Sequence, residues 1–169
     1  YKLQAKSPLP YSTLYIRTNA LIHAGTPYAT TNVVRIPKKY EKYFTYATAK
    51  HEFAHTIRHS FDGSLVQFLR DAIKYKYAQH HHCGKKTNNG FAFNEGWALY
   101  WAGTCRGTYG SSPKDYRYEG NVAKALRALQ SKCSSSFYRM VRVLRYKKRS
   151  IHSFSAYNDM HYTLYKCKL

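Results

Sequence analysis

Two histidines four residues apart, with a glutamate beside the first, are the residues of this chain best placed to do chemistry: His51-Glu52-Phe53-Ala54-His55. On an α-helix, residues i and i+4 share a face with their Cβ atoms about 5–6 Å apart, so both imidazoles can converge on one cation. Zinc takes such nitrogens at about 2.0–2.1 Å in tetrahedral geometry. Glu52 is turned about 100° around the helix from His51. It therefore stands beside the cation rather than on it, where a carboxylate can take a proton from an activated water. Chance produces this pattern in about one chain in a hundred of this length and composition, and its ordinary alternative is a solvated helix with two surface histidines.

A catalytic zinc has three protein ligands and one open position, so a third ligand must come from elsewhere. Arg58 and Phe61 stand where a metzincin requires Gly and His, which excludes that class. His59 is too near on the same helix to complete a tetrahedron and reads as a polar outer or surface residue. Asp62 offers the Asp-after-helix ligand of the aspzincins, although Asp62-Gly63 reads more simply as a turn. The favoured ligand is Glu95, because Asn94-Glu95-Gly96-Trp97-Ala98 resembles the Asn-Glu-Gly-Phe-Ala segment of the zinc aminopeptidases related to leukotriene A4 hydrolase. The Asn94-Glu95 pair is also similar to that of thermolysin.

This resemblance, confined to the two motifs, is to the gluzincins. It implies a zinc peptidase in which His51, His55 and Glu95 bind the metal and Glu52 is the general base. It further implies a downstream Tyr or His as oxyanion donor, and Tyr157 and His161 are the candidates. Two departures stand out. Leu99 replaces the acid that thermolysin-like enzymes place four residues after the ligand Glu, leaving Asp71, Asp62 or a backbone carbonyl to orient a zinc-bound histidine. Glu95 also follows His55 at a longer distance than in those enzymes, closer in style to anthrax lethal factor, so the intervening helix should loop away from the site.

The elements that must position these residues follow from local composition. Residues 12–18 and 31–36 are rich in β-branched and aromatic types and predict strands. Residues 44–59 lack breakers and carry Ala47, Ala49, Ala54 and Ile57, which predicts the helix bearing both histidines. Ser64 and Gln67 form a capping box that opens a helix running toward Tyr77. Residues 80–90 read as a polar loop, with His80, His81 and His82 solvated, before helical character returns over residues 93–102. Residues 121–129 and 137–146 have the spacing of core-packing helices with basic outer faces. The expected fold is α+β in one domain, 1–169: a small N-terminal sheet on the active-site helix (1–60) and a mostly helical remainder supplying Glu95 (61–169). The cleft should lie between the two, with peptide extended along the sheet edge.

Four cysteines, Cys83, Cys105, Cys133 and Cys167, lack the short paired spacing of a structural zinc site and predict two disulfides. Of the three pairings, Cys83–Cys105 and Cys133–Cys167 is favoured, each bridge stabilising by about 3 kcal/mol through loop closure. Disulfides fit an extracellular, secreted protein. The chain begins at Tyr1 rather than Met, so a processed mature form is the expectation. No stretch is long and apolar enough to span a bilayer.

Charge is lopsided, with 28 Lys+Arg against 8 Asp+Glu and a net charge of +20. Such a surface attracts polyanions, and residues 142–149 are one candidate contact, a basic helix face being their ordinary reading. The basic and tyrosine-rich composition points to acidic or extended substrates, and the scarcity of acids outside the motifs favours internal cleavage. Two rivals to a peptidase remain: a basic module binding nucleic acid or acidic glycan, and an extracellular structural protein derived from a peptidase.

Overall fold

The first strand-forming run pairs only over Tyr15–Arg17 (β1) and the second over Val33–Arg35 (β3), with a short strand Tyr28–Ala29 (β2) between them in sequence. The computed structural model describes residues 12–18, 27–61, 64–146 and 151–169. Asp62, Gly63 and residues 147–149, which figure among the sequence expectations, lie outside them. The sheet order is β1-β3-β2, with β1 parallel to β3 and β2 antiparallel to it. β2 is thus an edge strand. Ala29, Val34 and Ile36 form a small apolar cluster of their own, and β2 and β3 pack on the first α-helix.

That helix, Tyr46–Phe61 (α1), follows a 3-10 turn at Lys38–Tyr43. Thr45 caps it by accepting from the Thr48 amide at 3.2 Å, satisfying one of the N-terminal donors that a helix leaves unpaired. At its far end the Ser60 hydroxyl donates to the Thr31 carbonyl at 2.8 Å, pinning the helix beside the sheet. Leu65–Tyr75 (α2) starts at the Ser64 cap, whose hydroxyl accepts from Gln67, and stops at Lys76 in the left-handed conformation. This is two residues before the expected Tyr77.

Asn89–Ala102 (α3) begins four residues earlier than its apolar run predicts, because the Asn88 side chain accepts from the Phe91 amide at 2.9 Å. Every residue from Gly90 to Trp101 is buried, so α3 is a central helix apolar on all sides rather than an amphipathic one. It packs against α1 and against Glu119–Lys132 (α4). Phe137–Tyr146 (α5) has the predicted bounds. Phe154–Tyr165 (α6) is capped by Ser153 and buries Phe154, Tyr157 and His161. The architecture is α+β: three short strands and six α-helices among the described residues. No helix is long and apolar enough to cross a membrane.

Two disulfides close the chain in the favoured pairing, Cys83–Cys105 and Cys133–Cys167, each with Cα atoms 5.8 Å apart. The crossing of α3 and α4 is tight at Gly96. A Cβ there would stand 2.5 Å from the Val122 Cβ and 2.8 Å from the Glu119 carbonyl oxygen, neither of which can swing aside. We expect Gly96→Ala to cost about 1–3 kcal/mol through overpacking, although alanine is intrinsically the better helix former by about 1 kcal/mol. Urea unfolding would show a lower midpoint at unchanged slope; a midpoint at or above wild type would refute it.

Candidate metal centre

One turn of α1 separates His51 from His55, and both rings point toward α3, where Glu95 meets them. The three donor atoms form a compact triangle: His55 Nε2 to His51 Nε2 3.1 Å, His55 Nε2 to Glu95 Oε2 3.2 Å, and His51 Nε2 to Glu95 Oε2 3.3 Å. Ligands bound to zinc at about 2.0–2.1 Å in a tetrahedron lie about 3.3–3.4 Å apart. The observed edges agree with that figure to about 0.2 Å, so the donor set fits a tetrahedral cation with one position left open. Without a cation, the same 3.1 Å approach of the two imidazole nitrogens is a hydrogen bond from the protonated nitrogen of one ring to the bare nitrogen of the other.

Burial sharpens the electrostatics. Glu95 is 5% exposed and lies in the buried stretch of α3. Burial opposes its charge, but His55, the hydrogen bonds from His51 and His55, and His81 overcome that and hold its carboxyl well below the ordinary range. Asn94 Nδ2 donates to its other oxygen, Oε1, at 3.2 Å. For His55, burial favours the neutral ring, yet Glu95 and Glu52 together raise its pKa. Glu52 behaves in the opposite sense: burial raises its pKa, only partly offset by His55 and His51. Its Oε2 is buried without a hydrogen-bond partner among the described residues. A buried carboxylate oxygen with no donor, next to three candidate ligands, is a group prepared to accept a proton from an incoming water.

On its His55 side the cluster is walled by aromatic rings. His59, predicted as an outer or surface residue, is 2% exposed. It stacks on His55 with ring centroids 5.7 Å apart and meets Phe68 edge-on at 4.5 Å. His55 Nδ1 finds no acceptor among the described residues. Asp71 is occupied elsewhere, accepting from Gln67 at 3.1 Å and lying 3.6 Å from His152 Nε2. Leu99 is a buried core residue.

Tyr157 and His161 are not brought to this cluster. Tyr157 is fully buried in the helical core, where its hydroxyl donates to the Met140 carbonyl at 2.7 Å. His161 is held between Ser135 Oγ at 2.9 Å and the Cys167 carbonyl at 2.6 Å. Neither lines the cavity that contains the cluster. The residue that sequence reading missed is His81. Its Nε2 lies 3.7 Å from Glu95 Oε2 and its Nδ1 donates to Glu119 Oε2 at 2.9 Å. Burial disfavours its charged form, but the Glu119 hydrogen bond and Glu95 raise its pKa to about 9. A signal was available: Cys83, two residues on, is bridged to Cys105, just beyond α3, which anchors the histidine loop to the helix that carries Glu95.

The cluster opens into a cavity of about 710 Å³ between β2, α1, α2 and the loop of residues 77–81. Tyr28, Phe68, Leu69, Ala72 and Tyr77 line it, together with the imidazoles and the two acids. No Lys or Arg is among its described lining residues. The excess positive charge therefore lies elsewhere on the surface. No family model, curated protein or solved structure matches the chain. What the site defines on its own atoms is a candidate metal centre of two imidazoles and one carboxylate, with a buried acid beside it.

Proposed function

We propose that this chain is a secreted zinc peptidase of gluzincin type, hydrolysing peptide bonds at the His51–His55–Glu95 centre. The observation that carries this reading is the donor triangle with its 3.1–3.3 Å edges, joined to the unpartnered Oε2 of Glu52. A zinc ion bound there supplies Lewis acidity, polarising a carbonyl and lowering the pKa of water. Glu52 takes the proton from the attacking water and passes it to the departing amine, a role favoured by the burial that raises its pKa. His51, His55 and Glu95 hold their positions on two packed helices, so little reorganisation accompanies the reaction. β2, an edge strand beside the cavity, offers backbone groups along which an extended peptide can align.

The cavity walls favour apolar and aromatic side chains over the acidic ones that overall composition suggests. The polyanion-binding reading explains the charge but gives no role to a cavity that has no lysine or arginine among its described lining residues. Two disulfides support an oxidising, extracellular setting.

The test is metal analysis coupled to cleavage of a mixed peptide library. The protein as purified should contain about one zinc per chain, lose cleavage on treatment with a chelator, and regain it on adding zinc. Cleavage that persists after complete metal removal would sink the proposal, as would a zinc-replete protein inert toward every peptide.

A further inference from the structure

Four apolar side chains of α2 face water. Leu65, Val66, Leu69 and Ile73 are between 51% and 81% exposed, Ile73 the most. At about 100° per residue they share a single arc of about 100° on the helix. The inward side is filled by Phe68, which is buried, and by the only acid of α2, Asp71, which is buried and accepts from Gln67 at 3.1 Å. Arg70 and Lys74 come next around the helix, at about 140° and 180° from Leu65, and both are exposed. α2 therefore shows water an apolar stripe with a cationic border and no negative charge. A surface helix ordinarily turns its apolar residues to the core, and a contiguous apolar patch left outward marks an interaction site.

Charge narrows the choice of partner. At the C-terminal end of α2 a cavity of about 820 Å³ is lined by Lys74, Lys76 and Lys86, with no acid among its described lining residues; Lys86 also pairs with Asp115 at 3.5 Å. Of the 8 Asp and Glu in the chain, Glu52, Asp71, Glu95 and Glu119 are buried, so the 28 Lys and Arg meet little opposing charge at the surface. A second copy of the chain would bring Arg70 and Lys74 of both stripes to one interface, where like charges oppose association. A nucleic acid or acidic glycan would satisfy the cations but gives the apolar side chains no phase to enter. An anionic lipid leaflet supplies both.

We propose that α2 docks this protein on an anionic lipid surface, Leu65, Val66, Leu69 and Ile73 entering the acyl boundary while Arg70, Lys74 and Lys76 meet the headgroup phosphates. Binding is peripheral. α2 has 11 residues, about half of the roughly 20 that a spanning helix needs, so it lies in the plane of the surface with its stripe submerged. Leu69 also lines the cavity that holds His51, His55 and Glu95. Docking therefore sets the mouth of that cavity at the lipid surface. The proposal stands apart from the peptidase reading, since nothing in it requires a metal or a cleaved peptide.

The experiment is co-sedimentation of the full chain with two kinds of vesicle, one of phosphatidylcholine alone and one with an equal share of phosphatidylglycerol. Wild type should pellet with the mixed vesicles and stay in solution with the others. The double variant Val66→Ser, Ile73→Ser should bind the mixed vesicles about 10-fold more weakly or worse. Lys74→Gln with Lys76→Gln should weaken binding about 10–30-fold at low salt. Inorganic phosphate, at matched ionic strength, should displace neither wild type nor variants; displacement would assign the lysines to a free anion and overturn the proposal. Thermal unfolding of both double variants should stay close to wild type, because the residues replaced are exposed. A clearly lower midpoint for Val66→Ser, Ile73→Ser would mean that this chain or a second copy already covers the stripe, and the proposal would fall. It would fall equally if that variant bound mixed vesicles as tightly as wild type, leaving charge alone at work, or if wild type bound neither vesicle.

Discussion

Glu52→Gln is expected to leave the protein folded and metal-loaded while lowering peptide cleavage by about 10²–10⁴-fold. The amide keeps the size of the carboxyl but cannot accept and release a proton at neutral pH. Because Glu52 is not part of the donor triangle, its loss leaves three ligands in place, and because its Oε2 has no partner among the described residues, no existing hydrogen bond is broken there. Burial already raises the Glu52 pKa, so removing the charge should not destabilise the fold. Full activity in a zinc-loaded Glu52→Gln protein would end the mechanism whatever the metal analysis showed.

Glu95→Ala should have the opposite signature. The variant removes the only anionic donor of the triangle, and its loss should weaken zinc affinity by more than the roughly 10–100-fold that follows removal of an outer partner of a ligand. His51 and His55 still face each other at hydrogen-bond distance, 3.1 Å, so the chain should still fold. Thermal unfolding with and without zinc reads this directly: wild type should gain stability with added zinc by mass action, and Glu95→Ala should gain much less. A variant that retains stoichiometric zinc through dialysis would remove Glu95 from the ligand set.

The parts of this molecule that could be read in advance are those governed by local chemistry. α5 has its predicted bounds because residues 137–146 alternate cleanly between apolar and basic faces. The pairing of Cys83 with Cys105 and of Cys133 with Cys167 was the favoured one of three from which segments the cysteines bracket, and the structure has it. α3 was harder: a helix buried on every side shows no amphipathic period, and its true start depends on one Asn88 cap hidden in a polar loop. Within the site, the helical spacing of His51 and His55 placed their rings together, and the structure brings Glu95 to them. Tyr157 and His161 show the limit of that method, because with 18 tyrosines in the chain nothing local distinguishes one that faces a core from one that faces a cleft. His81 was passed over for a related reason. Its position depends on a disulfide and on Glu119, 38 residues away.

The burial of α3 from Gly90 to Trp101 gives the cavity two walls of unequal freedom. Along the wall that carries His51, His55 and Glu95, any side-chain change presses on neighbours that are themselves fixed, so mutation there costs stability. The opposite wall is built from β2 and α2, where Leu69 is 51% exposed and Tyr28 and Ala72 are only partly covered. Substitutions at Tyr28, Leu69 and Ala72 can reshape what enters the cavity without touching the core. An engineer, or natural drift, would retune selectivity on that side first, with the reactive groups carried along unchanged.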